Sequence, residues 1–117
     1  MDIDLFKSGP ITFIELDGEM NADNCMEIRD MVMESLAVNK HFVINVKNVP
    51  YMDSTSIGTL MAIVKEVQLL DGSIKLVGVN NSLKRIFELV NADEVFDMFD
   101  KTEDAVNSLG MAVATGV

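Results

Sequence analysis

The run Asp53-Ser54-Thr55-Ser56 sets one carboxylate ahead of three hydroxyls. Serine and threonine hydroxyls accept phosphoryl groups. Carboxylates and phosphates are both well held at a helix N-terminus, where the first amides lack partners and the dipole is positive. The flanking residues put the run at such a terminus. Before it, Phe42-Val43-Ile44-Asn45-Val46 is short, β-branched and aromatic, as a buried strand is. Lys47-Asn48-Val49-Pro50 then breaks that strand, because proline donates no amide and biases its predecessor away from helix. After it, Ile57, Leu60, Met61, Val64 and Val67 recur at the spacing of one helix face. Asp53 to Ser56 therefore form the N-cap and first turn, with Thr55 off the buried stripe. Two readings stand side by side. Either Asp53 or Ser54 only caps the helix, or the hydroxyls form a modification site.

The elements that must position this run alternate along the chain. Ile3-Asp4-Leu5-Phe6 and Ile11-Thr12-Phe13-Ile14-Glu15-Leu16 read as strands joined through a Ser8-Gly9-Pro10 turn. Asp17-Gly18 ends the second strand. Asn21 or Asp23 is placed to cap a first helix that runs to about Leu36, with Cys25, Ile28, Val32, Ser35 and Leu36 on one face. The helix after Ser56 ends near Leu70, where Gly72 is a helix-stopping glycine. Ile74 to Val79 forms the next strand. Asn80-Asn81-Ser82 caps a third helix whose inner face is Leu83, Ile86, Phe87 and Val90. A short strand over Val95 to Phe99 and a last helix from Thr102 to about Leu109 follow. This alternation implies an α/β fold with a mixed sheet of about five strands, parallel after an N-terminal hairpin, and about four helices. No linker or repeat divides the chain, so residues 1–117 are expected to form one domain. The small residues of 110–117 predict a loose tail or one that contacts a neighbouring copy.

Composition removes several functions. Hydrophobic residues at 49% of 117 can fill one core. No stretch approaches the roughly 20 apolar residues of a membrane span, and Met1-Asp2-Ile3-Asp4 carries no basic signal region. The lone Cys25 cannot form an internal disulfide and reads as a small core residue. A cytoplasmic protein is expected. The formal charge of −10 opposes nucleic-acid binding and suits a basic protein partner. His41 is the only histidine, so no zinc site is expected, and no glycine-rich phosphate loop is present. No base accompanies Ser54, Thr55 or Ser56 to make a catalytic nucleophile. A non-enzymatic protein without cofactor or metal follows. Of the nine methionines, Met31, Met33, Met61 and Met98 read as core filler, while Met26 and Met20 are the better surface candidates.

The segment Met52-Asp53-Ser54-Thr55-Ser56-Ile57-Gly58 resembles the signature of the STAS domain, the anti-sigma-factor antagonist family, in which Asp-Ser precedes a phosphorylatable Ser or Thr. Leu16-Asp17-Gly18-Glu19-Met20-Asn21 resembles the family's early Leu-x-Gly-Glu-Leu-Asp loop. Ser82-Leu83-Lys84-Arg85-Ile86-Phe87 resembles its third helix, and Val95-Phe96-Asp97-Met98-Phe99 the strand that follows. These landmarks stand in family order over nearly the whole chain. The resemblance implies a protein-binding switch. Such an antagonist docks on an anti-sigma factor that is also a serine/threonine protein kinase, and so frees a sigma factor. The kinase, using its own ATP, phosphorylates the antagonist, and a serine/threonine phosphatase reverses this. By position, Thr55 is the acceptor, with Ser56 and Ser54 as alternatives. The partner-binding set is Glu19, Asn21, Asp53, Ser54, Thr55, Ser56 and Ile57. Ser56 replaces the family's usual glycine, and Asn21 its usual aspartate. A monomer or weak dimer is implied. The alternative within the family is a scaffold or regulatory subunit, of a stress-signalling complex or a lipid-transport system, that is never phosphorylated.

A response-regulator receiver is also a small acidic α/β domain, but it needs an aspartate ending the strand that here ends on Lys47. It also needs an adjacent acidic pair after its first strand, where Asp17 is followed by Gly18. That phosphotransfer chemistry is absent.

Overall fold

The computed structural model describes residues 1–110, so the expected tail lies outside the described residues from position 111 onward. Strands β1 (Asp2–Ser8) and β2 (Ile11–Asp17) form an antiparallel hairpin through Gly9, at φ +58°. Helix α1 (Cys25–Ser35), strand β3 (His41–Asn48), helix α2 (Ser54–Leu69) and strand β4 (Ser73–Val77) follow. Helix α3 (Asn81–Leu89), a 3-10 turn over Ala92–Glu94, strand β5 (Asp97–Phe99) and helix α4 (Thr102–Ser108) complete the domain. The five strands lie in sequence order, with β2 to β5 mutually parallel. The predicted mixed sheet with four helices is the observed one.

Alternation along the strands divides the core in two. Ile14, Leu16, Phe42, Ile44, Val46, Ile74 and Leu76 face one side. There they pack with Ile28 and Val32 of α1, Leu60, Ile63 and Val67 of α2, and Leu83 and Phe87 of α3. Ile11, Phe13, Val43 and Val77 face the other, against Ala105 and Val106 of α4. Both faces are covered where the sheet is parallel, as parallel sheets require.

Several expectations shift in detail. Strand β3 continues through Lys47 and Asn48 before Pro50 stops it, because Asn48 still pairs with Asp17. Strand β4 ends at Val77, two residues early, since Gly78 turns at φ +79° against the backbone of Lys47. The left-handed residue after α2 is Asp71 (φ +60°), not Gly72. Gly72 is needed for room: a Cβ there would stand 2.1 Å from the Lys40 carbonyl oxygen. Strand β5 is confined to three residues because the 3-10 turn takes up the chain before Val95. Helix α1 begins at Cys25 behind Asn24, which makes no side-chain cap bond. Met20 is wholly buried rather than at the surface, and Val90 is 50% exposed rather than core.

Candidate functional site

Parallel neighbours deliver their C-terminal loops to the same sheet edge. Because β2 pairs with β3, the loop after Asp17 and the loop after Asn48 leave side by side, and backbone bonds close them together. Gly18 N donates to the Asn48 carbonyl at 3.0 Å, Met20 N to that of Tyr51 at 3.0 Å, and Asp53 N to that of Met20 at 3.2 Å. Met20 and Met52 form a parallel bridge, and both side chains are sunk in the main core. Glu19 and Asn21 are thereby held beside Asp53, although about 30 residues intervene.

Asp53 completes the junction. It caps α2 from extended backbone (φ −77°, ψ 172°). Its Oδ1 accepts the Ser56 amide at 2.8 Å, and its Oδ2 accepts the Ala22 amide at 3.0 Å. One carboxylate thus ties the first turn of α2 to the neighbouring loop. The Ser56 amide above all, then the nearby Ser56 hydroxyl and the Ala22 amide, lower its pKa, opposed only by partial desolvation. Capping and recognition are not alternatives at this residue, because the same side chain serves both.

Asn21 stabilises its own loop. Its Oδ1 accepts the amides of Asp23 (2.9 Å) and Asn24 (3.2 Å), and Asn24 Oδ1 accepts the Asn21 amide at 2.9 Å. Asn24 Nδ2 donates to the Glu19 carbonyl at 2.9 Å. On the other flank, Asn80 caps α3 through the Leu83 amide and donates Nδ2 to the carbonyls of Val49 and Pro50.

The three hydroxyls diverge. Ser54 and Thr55 are exposed, and the Thr55 hydroxyl has no hydrogen-bond partner among the described residues. Ser56 is 0% exposed and its Oγ has no hydrogen-bond partner among the described residues; it lies close enough to Asp53 to favour the carboxylate without meeting hydrogen-bond geometry. The alternative acceptor and contact residue Ser56 is therefore not presented at the surface in this fold. Ile57, 4% exposed, is likewise core rather than contact surface. The cause is the orientation of α2. Its buried line runs through Ser56, Leu60, Ile63 and Val67, with Ile57 and Val64 beside it, so Met61 turns partly outward and Ser56 inward. Ile63, seven residues after Ser56, was the sequence signal for this. Sequence reasoning also missed Ala22 as a donor and the open groove beside Ser54, lined by Tyr51, Gly58, Met61, Ile86 and Val90.

Among the described residues, no three His, Cys, Asp or Glu side chains gather where they could hold a metal ion. No helix of the described residues is long and apolar enough to cross a membrane.

Residues 2–105 match the sequence model of the STAS domain. The chain belongs to the STAS domain family. The matched span takes in the Leu16–Asn21 loop, the start of α2 and the Ser82–Phe87 segment of α3. Among curated STAS proteins, the anti-sigma-B factor antagonist of Bacillus subtilis is 27% identical over 93 residues, covering 80% of this chain and 85% of that protein. Among solved structures, the anti-sigma factor antagonist SpoIIAA in its unphosphorylated form superposes with a TM-score of 0.75 at 18% identity, over 95% of this chain and all of that one. The phosphorylated form of SpoIIAA, described as a Bacillus cell fate determinant, superposes at 0.71 with 16% identity, over 92% of this chain and 99% of that one. At these identities the structural likeness establishes the STAS fold.

Proposed function

We propose that this protein is an anti-sigma factor antagonist whose docking is switched by phosphorylation of Thr55. The observation that carries this is the placement of the Thr55 hydroxyl. It is exposed and, among the described residues, without a partner on the first turn of α2, beside the Glu19–Ala22 loop that Asp53 binds to that turn. The names of its curated relatives support the antagonist role. The partner is an anti-sigma factor that is also a serine/threonine kinase and brings its own ATP, so this chain needs no cofactor and catalyses nothing. A serine/threonine phosphatase resets it. The exchange takes place in the cytoplasm, with the antagonist as a monomer or weak dimer.

The chemistry needs no refolding. A phosphoryl group adds a charge of about −1.5 to −2. At the end of α2 the dipole accommodates this charge within the domain. At a partner interface the same charge, beside the Asp53 carboxylate, is desolvated and repelled. A loss of about 4 kcal/mol weakens binding roughly a thousandfold. Glu19, Asn21, Asp53, Ser54 and Thr55 form the surface patch that the partner meets.

The test pairs labelling with calorimetry. The cognate kinase labels Thr55, and Thr55→Ala abolishes labelling while still binding that kinase. Thr55→Glu binds roughly ten-fold or more weakly, about 1.4 kcal/mol. Labelling that persists in Thr55→Ala, or equal affinities for the two variants, refutes the switch and favours the unphosphorylated scaffold.

A further inference from the structure

Helix α4 covers the second face of the sheet over Ile11, Phe13, Val43 and Val77, and leaves Asp2, Asp4, Phe6, Glu15 and Asp17 of the hairpin exposed. Register sets Asp2 opposite Asp17, Asp4 opposite Glu15 and Phe6 opposite Phe13. The two-residue period of a strand puts all six on this face, Phe13 buried and the other five exposed. Phe6 is 41% exposed and stacks on Phe13 with ring centroids 5.0 Å apart and planes 7° apart. Beside the stack runs a groove bounded by Val43, Asn45 and Thr102. None of the four carboxylates forms an ion pair among the described residues. Of the lysines that alternation puts on this face, Lys75 is held by Asp97 at 2.7 Å and Lys47 pairs with none of the four. Like charges directly opposite destabilise an antiparallel pair, and here two such pairs stand in succession next to the exposed Phe6 ring, which is stacked on buried Phe13. The face is unfavourable alone and complementary to something cationic with an apolar anchor.

We propose that this face is a second docking surface, for a basic amphipathic segment of a partner protein. An apolar side chain of that segment sits on the Phe6–Phe13 stack and its groove. Its Lys or Arg side chains lie between Asp2, Asp4, Glu15 and Asp17. Charge selects this occupant. A second copy brings the same −10 and the same four carboxylates, and an anionic membrane or nucleic acid meets the same repulsion. Helix α2 packs on the opposite face of the sheet, so the Phe6–Phe13 stack lies on the other side of the sheet from α2, and neither proposal depends on the other.

The test titrates the isotope-labelled full chain with a synthetic peptide of alternating lysine and leucine, and with the same peptide carrying glutamate for lysine. The lysine peptide should shift amides of residues 2–17 and 43–45, leave residues 53–56 unmoved, and bind more weakly as salt rises. Phe6→Ser and Glu15→Lys should each weaken binding roughly ten-fold, whereas Asp93→Lys, on the exposed 3-10 turn, should leave it within about two-fold. Both Phe6 and Glu15 are exposed, and the unshifted remainder of each variant's spectrum confirms its fold. Several results would overturn the proposal: no saturable binding, shifts spread over the whole acidic surface, or unaltered affinity in both variants. So would dimerisation through this face, or contacts from residues 111–117 to Phe6 in the free protein.

Discussion

Replacing Ser56 by alanine removes a hydroxyl that is wholly buried and has no hydrogen-bond partner among the described residues. An unsatisfied buried polar group costs about 1–3 kcal/mol of desolvation. The attraction between this hydroxyl and the Asp53 carboxylate offsets part of that, which puts the penalty near the lower end, about 1 kcal/mol. Alanine adds a few tenths more through helix propensity. The Cβ stays, so no cavity opens beside Leu60. A net gain of about 1–1.5 kcal/mol raises Tm by roughly 4–6 °C in a domain of this size. Differential scanning calorimetry reads the shift, and an unchanged urea m-value would confirm that the folded state alone has changed. Ser56→Gly provides the control. It also removes the hydroxyl but gives back about 1 kcal/mol of helix propensity, so its Tm should stay close to that of the parent. A Tm for Ser56→Ala equal to or below the parent's would mean that the hydroxyl is satisfied in solution, and the argument from burial fails.

Three further outcomes follow from the same geometry. Asp53→Asn should lower Tm at neutral pH, and the gap should close in acid. The folded pKa of Asp53 is depressed below its ordinary 3.8, so its contribution is present above that value and vanishes as pH falls through the folded one; a pH-independent gap would show that charge has no part in the cap. Gly72→Ala should destabilise by about 1–3 kcal/mol, as overpacking does, because the new methyl meets the Lys40 carbonyl and Val67 Cγ1; an unchanged urea midpoint would refute the close approach. Asn21→Asp should keep stability within about 0.5 kcal/mol, since only the side-chain oxygen is used in the loop, while altering partner affinity or the rate of Thr55 labelling.

The parts of the site that were legible in the sequence are those governed by local rules. Pro50 and the apolar period after Ile57 locate the end of β3 and the start of α2, and they narrow the cap to Asp53 or Ser54, of which the structure uses Asp53. The hairpin turn at Gly9 and the alternation of strands and helices yield the sheet, whereas the meeting of the Glu19–Asn21 loop with Asp53 was implied by the STAS resemblance. What was not legible depends on how whole elements rotate. Counting Met61 instead of Ile63 in the buried stripe turns α2 slightly, and that alone decides whether Ser56 faces solvent or core. Gly72 misled for a similar reason: a glycine after a helix suggests left-handed backbone, whereas here a distant carbonyl, that of Lys40, requires the missing side chain. Val90 follows the period of α3 but extends beyond Leu89, where the core beneath it has ended.

The paired loops at the end of β2 and β3 carry a consequence for dynamics. Because Met20 and Met52 are anchored in the main core and the backbones around them are bonded to each other, neither loop can open without disturbing the hydrophobic centre of the domain. Their amides should exchange with solvent on the time scale of global unfolding rather than of loop motion. A partner then meets a surface whose ordering entropy was already spent in folding.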